Sequence, residues 1–121
     1  MPVERWSDSV VVVRLAENPH MAEDLDALDQ ATHQHRVNAV VDFSAIRMLN
    51  SSNLAKLIKI RRQMAAHESR LVLCGTDDHV WGAFLVTNLD KLFEFSNDVT
   101  TALATLQMNA ATDNPQSQTL H

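Results

Sequence analysis

Short β-branched apolar blocks alternate along this chain with longer stretches in which apolar residues return every three or four positions. The blocks are Val10-Val11-Val12-Val13-Arg14-Leu15, Val37 to Phe43, and Arg70-Leu71-Val72-Leu73-Cys74-Gly75. Each predicts a buried strand, because short apolar runs rich in β-branched residues suit a strand covered on both faces. Val3 to Trp6 predicts an edge strand that turns at Ser7-Asp8-Ser9 into the first block. Asn18-Pro19 ends that block, since proline restricts its predecessor and has no N–H to give a ladder. Lys91-Leu92-Phe93-Glu94-Phe95 alternates with period two and predicts a strand covered on one face.

Helices fill the intervals. From His20 to about His35, Met21, Leu25, Leu28 and Ala31 or Thr32 keep the three-four spacing, with Glu23, Asp24 and Asp26 early, where acids suit the helix dipole. A central helix from about Ser51 to His67 puts Leu54, Leu57, Ile58, Met64 and Ala65 on one arc and Lys56, Lys59, Arg62 and Gln63 on the other. Arg61 falls inside the apolar arc, with its stem along the core and its head at the edge. Ile60 is expected at the flank, partly exposed. Thr76-Asp77-Asp78 opens a third helix with Val80, Ala83 and Phe84 inward, Trp81 and Leu85 on a second apolar side, and Asn88 as its end. Ser96-Asn97-Asp98 caps a fourth, built on Val99, Ala102, Leu103 and Leu106. From Asn109 polar residues dominate, and 109–121 is expected to be a disordered tail behind one domain at 1–108. Strands alternating with helices predict an α/β fold with a small, mainly parallel sheet of four to five strands and about four helices.

Composition sharpens this picture in a few places. A length of 121 residues, 45% of them apolar, supports one core. Apolar runs are too short for a membrane span or a signal-peptide core. Cys74 is the single cysteine, so no internal disulfide can form and a reducing cytoplasm is the expected compartment. A net charge of −5 argues against direct nucleic-acid binding. Yet residues 51–68 hold four bases (Lys56, Lys59, Arg61, Arg62) against Glu68, a basic helix in an acidic protein. Its basic face is either solvated or a docking face for an acidic partner.

Candidate chemistry is sparse. Gly75 and Gly82 are the only glycines, which excludes a glycine-rich phosphate loop. His33 and His35 are two apart and so point to different sides of a helix, which makes them surface histidines rather than metal ligands. Cys74 has no neighbouring base in sequence and reads as structural. Asp42 stands at the carboxyl end of a strand, where α/β sheets place functional groups, or it bonds the backbone of the following loop. Trp81 is either a packing or a contact residue. No nucleophile has a plausible base, so neither an enzyme nor a cofactor is expected. The remaining candidate is Asn50-Ser51-Ser52-Asn53. Ser and Asn side chains cap helix N-termini, and a helix N-terminus also tolerates a phosphate.

The segment from Val40 through Asp42, Asn50, Ser51, Ser52 and Asn53 to Leu54 resembles the signature of the STAS domain of bacterial anti-anti-sigma factors, in which a strand leads to an Asp-Ser-Ser/Thr-Gly-Leu motif opening a helix. The order of the later elements resembles that family too, from about Val10 to Gln107. The resemblance implies a partner-switching regulator of transcription. It would bind an anti-sigma factor that is also a serine kinase of the ATP-binding, histidine-kinase-like type. Phosphorylation of Ser51, or of Ser52 in its place, would end that binding, and a phosphatase would restore it. The implied contact surface is Asp42, Asn50, Ser51, Ser52, Asn53, Lys56 and Trp81, on a monomer or weak dimer that binds neither membrane nor nucleic acid. This chain departs from the family where Asn50 replaces Asp and Asn53 replaces Gly. The alternatives are a STAS module that binds its partner without phosphorylation, and a ligand-binding STAS sensor.

Overall fold

A computed structural model describes residues 3–34 and 36–111, with side chains as far as Gln107. Five strands and four α-helices follow one another as β1 (Val3–Ser7), β2 (Val10–Arg14), α1 (His20–Gln34), β3 (Asn38–Asp42), α2 (Ser51–Ala66), β4 (Leu71–Cys74), α3 (Asp78–Val86), β5 (Glu94–Ser96) and α4 (Val99–Ala111). The sheet runs in the order β1-β2-β3-β4-β5. The first pair is antiparallel, as a tight turn demands, and the other three are parallel, each joined through a crossover helix. Trp6 sits at an irregularity in the β1–β2 ladder, between the pairs Arg5–Val11 and Ser7–Val10, and stays 46% exposed.

Alternation along the strands sorts the core into two layers. Val11, Val13, Ala39, Val41, Leu71 and Leu73 face one side, where Met21, Leu25 and Leu28 of α1, Leu57, Ile60 and Met64 of α2, and Val80 and Phe84 of α3 cover them. Val10, Val12, Val40, Val72 and Cys74 face the other, covered by α4 through Ala102 and Leu106. Three helices therefore share one face, and α4 alone covers the other. Phe84 is the aromatic centre of the larger layer, edge-on to Phe43, Phe93 and Phe95.

Several expectations meet corrections here. Ile60 is buried to 1% exposure, not partly exposed, and Ala65 is exposed, because α2 lies flat on the sheet and centres its arc on Asn53, Leu57, Ile60 and Met64. Arg61 behaves as expected, with its Nε donating to the Leu92 carbonyl at 2.6 Å. That same carbonyl lies where a strand at 91–95 was expected. Instead the chain makes a 3-10 turn at Leu89–Lys91 and pairs with β4 only from Glu94 to Ser96, with Phe93 and Phe95 still turned inward. Asp24 lies early in α1 as expected and has a further role. It is buried, and its carboxylate accepts the Ala16 N–H at 2.8 Å, tying β2 to α1. Leu85 is exposed rather than packed on a second apolar side. Helix α4 runs to Ala111 and so takes in the first three residues, 109–111, of the expected tail; the remainder of that tail, and His35, lie outside the described residues.

Candidate functional site

The site begins where β3 ends. Asp42 alternates with Val41 and shares the side of Val40, so its carboxylate lies on the α4 side of the sheet, in register with Arg14 and Cys74. Its Oδ1 accepts the Ser44 N–H at 3.0 Å, and its Oδ2 lies 3.9 Å from Arg14 Nε; Arg14 also pairs with Glu4. Asp42 thus shapes the next loop and closes an ion-pair row across three strands. Gly75 packs against it with φ at +72°, and a Cβ there would lie 2.6 Å from Asp42 Oδ1 and 3.1 Å from the Ser44 nitrogen. Only glycine fits that close approach. Beside this row the Cys74 thiol is fully buried. Burial pushes it up to about 12, and the carboxylates of Asp42 and Asp98 push it the same way. A thiol held protonated in this way is a packing group, not a nucleophile.

From Phe43 the loop crosses to the α2 side, pinned by alternate anchors. Phe43 and Ile46 are buried, the Phe43 N–H donates to the Cys74 carbonyl at 2.8 Å, and the Ile46 N–H donates to the Phe43 carbonyl at 2.8 Å. Ser44, Ala45, Arg47 and Met48 are left outside, with Met48 at 73% exposure. Met48 therefore stands in solvent three residues before α2 begins at Ser51.

The helix start is closed by asparagines, not serines. Asn50 is the N-cap of α2, and its Oδ1 accepts the Asn53 N–H at 2.8 Å. Asn53 reciprocates at 3.5 Å with the Asn50 N–H, completing a capping box. The expectation that Ser51 or Ser52 caps is therefore corrected: they occupy the first two helical positions, both exposed, and neither hydroxyl is bonded to another described group. Asn53 is 2% exposed, its side chain folded beneath the turn. Where the family carries Gly, this side chain therefore adds almost no surface.

The expected contact residues thus divide. Asn50, Ser51 and Ser52 share one exposed turn with Met48. Asp42 is turned to the opposite side of the sheet. Lys56 is engaged by α1, its Nζ 2.5 Å from Asp26 Oδ1, and one turn on Lys59 Nζ lies 3.7 Å from Asp29 Oδ2. The basic face of α2 is therefore partly neutralised by an acidic face of α1. Trp81 is half-buried, edge-on to Phe95 with ring centres 4.9 Å apart. It borders a shallow recess of about 300 Å³ with Thr76, Asp78, Ser96 and Asn97, at the carboxyl ends of β4 and β5. Reasoning from sequence did not single out the exposure of Met48, because its neighbours Ile46 and Leu49 are apolar too and only the fold decides which of the three is left outside. Among the described residues no group of three or more His, Cys, Asp or Glu could hold a metal, and no helix is long and apolar enough to cross a membrane.

The family model described as Mlab, STAS domain matches residues 3–94, about three quarters of the chain. The chain belongs to the STAS domain family. Solved structures with the same fold include the anti-sigma factor antagonist SpoIIAA in its unphosphorylated form, at 20% identity and a TM-score of 0.74, over 87% of this chain and 94% of that one. Bacillus SpoIIAA in its phosphorylated form matches at 18% identity and a TM-score of 0.66, over 86% and 96%. A variant of RsbS from Moorella thermoacetica matches at 21% identity and a TM-score of 0.73, over 91% and 99%. At such identities these three establish a shared fold. No curated relative matches the sequence closely. The small STAS-type α/β fold expected from the sequence is the fold observed.

Proposed function

We propose that this STAS protein is an anti-sigma factor antagonist, a non-catalytic binding module whose partner is an anti-sigma factor with serine kinase activity. Its contact surface is the turn bearing Met48, Asn50, Ser51 and Ser52, and phosphorylation of Ser51 ends the complex. The observation that carries this reading is the pair of unbonded, exposed hydroxyls at the first two positions of α2, freed from capping by the Asn50–Asn53 box. A kinase can reach them without unfolding the turn. A phosphate there adds about −1.5 to −2 charges at the favourable end of a helix, so the fold survives while an interface fitted to a neutral hydroxyl does not. That SpoIIAA has been solved in phosphorylated and unphosphorylated forms adds support by analogy of fold. The test is the intact mass after incubation with ATP and the cognate kinase. One added phosphate, absent in Ser51→Ala, is the expected result; no added phosphate overturns the reading.

A second reading draws on Asn50, a neutral cap beside the serines. In it the same turn binds a partner with no phosphorylation at all. Ser51→Asp then leaves affinity nearly unchanged, whereas the switch requires a large loss.

A further inference from the structure

Adjacent helical side chains diverge by about 100°, so Ser51 and Ser52 present to different surroundings. Ser52 begins a stripe that continues through Lys56, Lys59 and Gln63, the flank of α2 that lies along α1. Ser51 shares the outer face with Ala55 and Arg62, all three exposed. Lys56 lies four residues beyond Ser52, the spacing and order at which an anion and a lysine pair on a helix. Ser51 has Leu54 and Ala55 at the corresponding positions, and no cation.

Lys56 is already committed elsewhere. The pairs Lys56–Asp26 and Lys59–Asp29 join residues 30 apart in the chain, so the α1–α2 seam keeps one register over both. Carried one turn further, that register sets Ser52 level with Ala22, with Glu23 beside it. Glu23 has His20 3.8 Å away as its own partner. On the α1 side of the seam, then, no cation is committed to an anion at Ser52. The carboxylate of Asp26 is 61% exposed, and an ion pair so wet is weak and readily exchanged.

We propose that Lys56 reads phosphorylation at Ser52 and not at Ser51. A phosphate on Ser52 takes the Lys56 ammonium from Asp26, and the α1–α2 seam loses its first ion pair. This rests on the serine pair being a phosphoacceptor site, in the case where Ser52 is phosphorylated in place of Ser51, and it adds the side chain that senses the phosphate and the helix that receives the message. In the transfer itself, the Ser52 Oγ–P bond forms as the β–γ anhydride of ATP breaks. ADP leaves, and the hydroxyl proton passes to a base of the kinase. The dianion with its three acceptor oxygens outcompetes a single carboxylate for one ammonium. Repulsion between the phosphate and Glu23 works in the same direction. The two serines then send different signals: a phosphate on Ser51 alters the contact surface only, and one on Ser52 also releases Asp26 of α1 from its pair with α2.

Genetically encoded phosphoserine at position 51 or 52 of the full chain tests this without a kinase. In a 31P NMR titration, phospho-Ser52 is expected to lose its second proton at lower pH than phospho-Ser51. Lys56→Gln should move the phospho-Ser52 midpoint up and leave phospho-Ser51 in place, and Lys59→Gln should move neither. Amide exchange in α1 around Asp26 should speed up in phospho-Ser52, reproduced by Asp26→Asn in the unphosphorylated chain. A phospho-Ser52 midpoint indifferent to Lys56, or α1 exchange unchanged by the phosphate, overturns the proposal. An unchanged intact mass with ATP and the kinase would sink the phosphoacceptor reading instead, while the encoded phosphoserines decide the role of Lys56 in either case.

Discussion

At the scale of single residues, the division of labour at the start of α2 is chemical. Asparagine oxygens accept the unpaired N–H groups, and the serine hydroxyls are left to solvent. Asn50→Ala should therefore cost about 0.5–2 kcal/mol in denaturant unfolding, while Ser51→Ala and Ser52→Ala should each stay within about 0.5 kcal/mol. A serine substitution as costly as the asparagine one would mean that the serines cap after all. Gly75 makes a second prediction. With φ at +72° and Asp42 Oδ1 in the space of a Cβ, Gly75→Ala should lose about 1–3 kcal/mol by strain and displacement of the β3 loop. Cys74 makes a third. Its folded value, about 12, lies above the 9.0 of a free thiol, so above pH 9 the unfolded chain holds fewer protons than the native one. Stability should then fall as pH rises, with a limiting slope from this group of about 1.4 kcal/mol per pH unit. Urea midpoints at pH 8 to 10.5 for the protein and for Cys74→Ala should diverge in that sense.

The elements differ in how legible they were. Where one neighbour decides burial, periodicity was enough: β2, β3, β4 and the inner faces of α1 and α4 lie as the apolar spacing requires. Where two neighbours compete, it was not. Ile60 read as flanking because the pattern alone cannot say how flat α2 lies on the sheet. Lys56 and Lys59 read as a free basic face because their partners, Asp26 and Asp29, are on another helix. The strand expected at 91–95 starts later: a 3-10 turn takes Leu89–Lys91, and the Leu92 carbonyl accepts from Arg61 of α2. Packing around α3 concentrates on one side chain. Phe84 meets three other rings, so Phe84→Ala should cost about 3–5 kcal/mol, measured by thermal or urea unfolding. A loss under about 1 kcal/mol would mean that α3 is not anchored there.

For the molecule as a whole, the two tryptophans report from far-apart strands of the sheet. Trp6 belongs to β1, and Trp81 packs on Phe95 of β5, at the opposite edge. One continuous sheet with a helical layer on each side should unfold as a unit. Single-tryptophan variants, Trp6→Phe and Trp81→Phe, should each give fluorescence and far-UV circular dichroism transitions that coincide. Separate transitions would mean that the edges unfold independently of the α4-covered centre. The sequence by itself determined the class and order of the elements and the location of the serine turn, because hydrophobic period and cap chemistry are local properties of the chain. Only the tertiary structure decided that asparagines rather than serines cap α2, that Asp42 faces away from that turn, and that Lys56 is held by α1. Local spacing allows a serine or an asparagine as the cap, and the folded turn selects Asn50 with Asn53, three residues apart; the other two outcomes depend on which side of the sheet a group falls and on a partner 30 residues away, and neither is written in local spacing.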